Sequence, residues 1–208
     1  MTKATAKKAA TVISAMALAL ASTEVALAET VWCTEAPRED CRVSTTPHRD
    51  RFQLLARASA DSQQMLWKWS RGEATSAEEF GDMTDPTQGL VLCVYSGGVS
   101  LDSGTFVPGG CEQGPGFGFC WKEHRGVQKL RALGANLTVN AVLKPGDDGA
   151  AEIRLHAKTG NALPDSLMNA ESLEVQLVRP GTDLCWSSSF VMRHRVNAGG
   201  TARHENVR

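Results

Sequence analysis

Short apolar or alternating segments, separated by turn sequences, recur in this chain from about residue 50 to residue 190. Between residues 65 and 69 every second residue is Met or Trp, which is the period of a strand with one buried face. Residues 90–95 form a continuous apolar run, typical of a strand covered on both faces. Further segments of this kind cover residues 52–58, 99–107, 117–121, 137–143, 153–157, 173–178 and 184–190. About nine short antiparallel strands between Gly- and Pro-containing turns predict an all-β fold, a single β-sandwich.

Two short helical turns are predicted beside these strands. Thr75 and Ser76 are each followed by a Glu three residues later, which is the pattern of a capping box at a helix start. Gly81 follows as the end of this turn. A second turn is predicted to start at residues 164–166, where Pro precedes Asp and Ser.

The first 28 residues have the three parts of a cleavable secretory signal peptide. Lys3, Lys7 and Lys8 lie near the start, an uncharged stretch covers residues 9–23, and a small-x-small triplet ends at Ala28. The uncharged stretch is about 15 residues long, shorter than the roughly 20 that span a bilayer. We therefore predict cleavage after Ala28, a periplasmic or secreted product, and no membrane span in the remaining chain. A retained anchor is the alternative.

All six cysteines lie after the predicted cleavage site. An even number of cysteines in an exported chain predicts disulfides, although six cysteines allow 15 pairings and the sequence does not select one. The spacings contain no C-x-x-C pair and do not resemble a zinc finger or ribbon, so no metal is assigned to them. The preferred pairing joins sequence neighbours, as Cys33–Cys41 and Cys111–Cys120, with Cys93–Cys185 as the long-range bridge.

Charge and apolar content divide the chain into four regions: a signal peptide (1–28), a weakly structured lead-in (29–49), the sandwich domain (50–190) and a mobile basic tail (191–208). The formal net charge of the whole chain is −1. The first region holds three lysines and one glutamate, so the chain after it carries −3. This mild balance predicts neither a nucleic acid nor a membrane surface as a partner.

Several strand and turn motifs follow one another in an order that resembles a group of uncharacterised exported bacterial β-rich proteins. The motifs are LWKWSRGEAT (66–75), FGD (80–82), LCVY (92–95), CWK (120–122), VQLV (175–178) and LCW (184–186). The likeness covers roughly residues 50–190. It implies an exported β-rich domain, and it implies no activity, cofactor or catalytic residue, because none is known for the group.

Four tryptophans lie on predicted strands, and two of them directly follow a cysteine. Neighbouring strand residues face opposite ways, so these two tryptophans should point away from the cysteines beside them. The set either packs the core or forms a flat surface on which sugar rings stack. The second interpretation makes a polysaccharide or another cell-surface component the partner. The four candidate ligand-binding residues are Trp67, Trp69, Trp121 and Trp186.

Candidate catalytic and metal-ligating residues do not converge in the sequence. The five histidines form no H-x-x-x-H or H-E-x-x-H pair, and no G-x-S-x-G motif is present. Cys120 and His124 would lie about 13 Å apart on a strand, too far for a nucleophile and its base. Asp147 and Asp148 fit a hairpin turn better than a calcium site. We therefore predict a non-enzymatic exported binding or structural module without a cofactor, with a carbohydrate-binding module and a hydrolase of dispersed active site as alternatives.

Overall fold

The computed structural model describes residues 33–46, 48–56, 63–101, 105–114, 117–133, 137–159, 165–196 and 202–206. The predicted signal peptide and its cleavage site lie outside these residues. The described strands are β1 (Arg51–Ala56), β2 (Gln63–Gly72), β3 (Gly89–Ser96), β4 (Val99–Ser100), β5 (Thr105–Pro108), β6 (Cys111–Gly114), β7 (Phe117–His124), β8 (Val127–Leu133), β9 (Leu137–Lys144), β10 (Ala151–Thr159), β11 (Ser172–Val178), β12 (Cys185–Val196) and β13 (Ala202–Asn206).

The strands form two antiparallel sheets that share the long strand β12. In the smaller sheet, β3 pairs with β4, β5 and β11, and β11 pairs with residues 185–191 of β12. In the larger sheet, residues 192–196 of β12 pair with β13, and the order continues β13-β1-β2-β10-β9-β8-β7-β6. The predicted all-β, sandwich-like fold is confirmed, with more strands than the sequence indicated.

The core lies between the two sheets and contains the large side chains of alternating strand positions. Phe52 of the larger sheet stacks on Phe190 of the smaller one, with ring centroids 5.6 Å apart. The indole N–H of Trp67 donates to the Ser188 hydroxyl across the same space, at 3.2 Å. Because burial of such side chains is the main source of folding free energy, these contacts hold the sheets together.

Both predicted helical turns are present, as α1 (Ala77–Phe80) and α2 (Asp165–Met168). Ser76 caps α1: the Glu79 amide donates to its hydroxyl at 3.3 Å, and the Ser76 amide donates back to the Glu79 carboxylate at 2.7 Å. Gly81, at φ 81°, ends the turn in a conformation that suits glycine. The turn directs Phe80 into the core, where its ring stacks on Trp186 at 4.7 Å.

The N-terminal segment (residues 33–46) lies against the outer face of the smaller sheet and is fixed there, rather than weakly structured. Its backbone at Arg42 donates to the Cys185 carbonyl at 2.9 Å and accepts from the Ser187 amide at 2.8 Å. The buried side chain of Gln176 accepts from the Arg38 amide at 3.1 Å and donates to the Arg38 carbonyl at 2.9 Å. The segment contains only isolated bridges, yet its backbone groups have partners on the sheet.

Two disulfides attach this segment to the sheet, and they correct the expected pairing. The hairpin pair between β6 and β7 agrees with the expectation, but the other two expected pairs are wrong. Both cysteines of the segment bond to strand cysteines of the outer face, which the sequence separation could not reveal. Three disulfides indicate an oxidising environment, extracellular or periplasmic. The pairs are Cys33–Cys93, Cys41–Cys185 and Cys111–Cys120.

The expected mobile tail from residue 191 is wrong for residues 191–196 and 202–206. Residues 191–196 complete β12, and β13 lies between β12 and β1 with backbone pairs to both. A strand paired on both sides has its backbone donors and acceptors satisfied, so it is held in place whatever its side chains. Val191 and Arg193 are exposed on either side of the buried Met192, as expected for a strand with one exposed face.

Candidate functional site

All four tryptophans proposed as ligand-binding residues are buried in the core. Trp67, Trp69 and Trp186 have no exposed surface, and Trp121 is 3% exposed. Trp121 and Trp186 point away from their neighbouring cysteines, as the alternation of strand positions predicts. A sugar ring needs an exposed indole face to stack on, and none of these four side chains presents one.

The most concentrated polar network of the described residues is also buried, around Asp50. One carboxylate oxygen accepts from the Ser70 amide at 2.9 Å and from the Ser44 hydroxyl. The other accepts from the Ser188 hydroxyl at 2.6 Å. Asp50 and Ser188 are each 5% exposed, so this serine is closed to a substrate. The network joins the lead-in to both sheets and has a structural explanation.

The histidines and the acidic turn do not form a metal centre among the described residues. His48, His124 and His194 are exposed and His156 is half-buried. Cys120 is bonded to Cys111, which removes the thiol that a Cys–His pair would need. Within the described ranges, no group of three or more His, Cys, Asp or Glu side chains is arranged to hold a metal ion.

An open cleft of about 530 Å³ lies on the smaller sheet, next to His48 of the lead-in. Tyr95, Glu174 and Ser189 are among the other residues that line it. The Glu174 carboxylate already accepts from the Gln176 amide at 2.7 Å and from the Ser187 hydroxyl at 2.9 Å. Its hydrogen bonds therefore run within the sheet rather than into the cleft.

The outer face of the larger sheet is strongly basic, and the pairing of its strands creates this property. Inward positions hold the core, so the alternate positions of the same strands face solvent. Ten cationic side chains occupy these outward positions, against one described carboxylate, that of Glu152. This sum of +9 lies within a chain of net charge −1, so all other residues together carry −10. We call this surface the basic face; its cations are Arg51, Lys68, Lys122, Lys129, Arg131, Lys144, Arg154, Lys158, Arg193 and Arg195.

Five of these cations form one line across six neighbouring strands. The strand register places one residue of each strand opposite the next, from β1 through β2, β10, β9 and β8 to β7. With neighbouring strands about 4.8 Å apart, the line is about 24 Å long. We call it the basic row; it consists of Arg51, Lys68, Arg154, Val142, Lys129 and Lys122.

Glu152 lies beside the basic row and contacts two of its members. Its carboxylate accepts from the Arg154 guanidinium, and the Lys68 ammonium lies 3.6 Å from it. Burial alone would raise the pKa of Glu152, but the hydrogen bond and charge of Arg154, together with Lys68, outweigh burial and lower the pKa. The same contact raises the pKa of Arg154. Glu152 is therefore ionised at neutral pH and holds two cations of the row in position.

Polar uncharged side chains flank the row on its other side. The neighbouring line of outward positions includes Gln53, His156 and Asn140. The His156 ring nitrogen lies 3.4 Å from the amide oxygen of Gln64. Burial, and then the charge of Lys158, lower the pKa of His156 from its ordinary value of 6.5. The imidazole is therefore neutral at pH 7 and gains its charge on acidification.

The basic face is not visible in the linear sequence, because its cations are dispersed along the chain. Several of them alternate with apolar residues, as Lys68 does between Trp67 and Trp69, and the net charge of the whole chain stays close to zero. Summing the charges of the residues at outward positions, strand by strand, could have revealed this face. On β8, for example, Lys129 and Arg131 alternate with inward-facing residues.

Comparisons of this chain with protein-family models, with curated proteins and with solved structures found no match. Among the described residues, no helix is both long enough and apolar enough to cross a membrane.

Proposed function

We propose that this protein is an exported, non-enzymatic binding module whose basic face binds an anionic partner outside the cytoplasm. The observation that carries the proposal is the concentration of +9 on one sheet face of a chain whose total is −1. Clusters of one sign raise the local concentration of oppositely charged partners and speed their association. The signal-peptide pattern of residues 1–28 and the three disulfides support the destination.

The repulsion among the cations of the basic face supports a role in binding a partner. Like charges directly opposite one another on paired strands destabilise a sheet, and Arg51 lies opposite Lys68 while Lys129 lies opposite Lys122. Glu152 compensates only at Lys68 and Arg154. An anionic partner would relieve the repulsion along the rest of the row. A sheet face with no partner would gain stability from alternating signs instead.

The chemistry of the basic face itself favours binding over catalysis. Ser44 and Ser188, whose hydroxyls donate to the buried Asp50 carboxylate, do not belong to this face. The basic face itself presents cations and amides, which bind and orient anions but do not supply a nucleophile with a base.

The test is the salt dependence of binding by the purified mature protein. We expect binding to immobilised anionic polymers, such as polygalacturonate and dextran sulfate, with affinity that falls steeply as salt rises, because binding releases counterions. Uncharged dextran is the matched control and should not bind. If neither anionic polymers nor anionic phospholipid vesicles bind at low salt, the proposal fails.

A further inference from the structure

We infer that the ligand of the basic row is a single chain of a linear anionic polysaccharide, lying across the strands from β1 to β7. This inference rests on the proposed function and specifies its partner. It starts from the uneven distribution of charge within the basic face. Five of the six positions of the row are cations, whereas the next line of outward positions on the same six strands contains one, Arg131. That next line is Gln53, Leu66, His156, Asn140, Arg131 and Cys120.

A row of cations fits a linear polyanion better than it fits a flat anionic surface. A membrane surface attracts basic residues through its whole area and needs no alignment among them. A polymer chain places its charges in sequence along one direction, so it gains most from cations aligned at regular spacing. The row repeats at the strand separation of about 4.8 Å, over about 24 Å.

The side chains beside the row suit sugars rather than nucleobases. Proteins that bind single-stranded nucleic acids stack bases on aromatic side chains. Among the outward residues of the larger sheet whose side chains are described, none is Phe, Tyr or Trp. Gln53 and Asn140 of that next line, and Gln64 one line farther from the row, instead offer amide groups, which match the hydroxyl groups of a sugar chain. The row then binds the carboxylate or sulfate groups, and the amides bind the hydroxyls.

The experiment compares two variants that remove the same charge from different places on the basic face. The row variant carries Arg51→Gln, Lys122→Gln and Lys129→Gln, and the control carries Arg193→Gln, Lys144→Gln and Lys158→Gln. Each loses one arginine and two lysines, all exposed, and each leaves Glu152 with both of its partners. Binding of defined-length polygalacturonate oligomers is measured by calorimetry.

We expect the row variant to lose about tenfold or more in affinity and the control about threefold or less, since each exposed ion pair contributes modestly. Affinity for the unmodified protein should rise with oligomer length and level off once the oligomer spans about 24 Å. Equal losses of affinity in the two variants would overturn the inference. A diffuse electrostatic attraction depends on how many cations are removed and not on where they lie. If the triple variant is unstable, Lys129→Glu against Lys158→Glu makes the same comparison.

Two further probes separate failure of this inference from failure of the proposed function. Binding to phosphatidylglycerol vesicles without binding to the oligomers would overturn the polysaccharide and leave an anionic partner. Preferential binding of a single-stranded oligonucleotide would overturn it in the same way. Binding to none of the three probes would remove both proposals.

Discussion

Removal of the disulfide between Cys41 and Cys185 is expected to lower the free energy of unfolding by about 4.6 kcal/mol. The two cysteines are 144 residues apart in the chain. The other two disulfides shorten the path between them to three stretches of 8, 18 and 65 residues, 91 in all. For a loop of that length, the conformational entropy that the disulfide removes from the unfolded chain corresponds to about 4.6 kcal/mol at 25 °C.

The hairpin disulfide between Cys111 and Cys120 provides the matched control. It closes a separation of nine residues, for which the same relation gives about 2.6 kcal/mol. The difference of about 2 kcal/mol follows from loop length alone. Packing acts in the same direction, because Cys41 and Cys185 are buried whereas Cys111 is exposed. The two double Cys→Ala variants should therefore differ by at least about 2 kcal/mol.

The assay is urea denaturation without reductant, followed by the fluorescence of the buried tryptophans. The Cys41→Ala/Cys185→Ala variant should unfold at clearly lower urea than the Cys111→Ala/Cys120→Ala variant. Equal midpoints with equal slopes, or the reverse order, would refute the loop-closure reasoning. They would also mean that the N-terminal segment is held to the sheet mainly by its hydrogen bonds.

Three further predictions concern the core and the basic face. Gly72→Ala should destabilise the domain by about 1–3 kcal/mol in the same assay, because a Cβ there would overlap the Trp69 ring; unchanged stability would contradict that packing. Asp50→Ala should cost about 3 kcal/mol and Ser188→Ala about 1 kcal/mol, because only the first leaves several buried donors unpaired; equal costs would contradict the network. Polygalacturonate binding should strengthen as the pH falls below about 6.5, because His156 has a lowered pKa and adds a charge to the face only on acidification, and His156→Gln should remove that increment.

The parts of the fold that were predicted correctly depend on local sequence patterns. The capping residues Ser76 and Glu79 form their turn through bonds to one another, so the sequence contains the whole of the interaction. The alternation at Trp67 and Trp69 likewise reports which face of β2 is buried, because strand geometry links every second residue. Neither feature depends on which strands are neighbours.

The features that were missed depend on strand order, which local patterns do not specify. Arg51 and Lys122 join one row only because β1 and β7 belong to the same sheet in a fixed register. Cys41 reaches Cys185 only because the N-terminal segment crosses the outer face of the smaller sheet. Both relations span most of the chain, and many topologies satisfy the same local signals.

The position of β13 has a consequence for how the chain acquires its fold. This strand lies between β1 and β12, so the larger sheet cannot close until residues 202–206 are available. Pairings between such distant segments make folding slow. During that delay, Cys33 and Cys41 are the nearest pair to oxidise, since short loops close at the lowest entropic cost, and that pair is non-native. A Cys33–Cys41 bond formed in that interval would have to be replaced, by thiol–disulfide exchange, with the native Cys33–Cys93 and Cys41–Cys185 bonds.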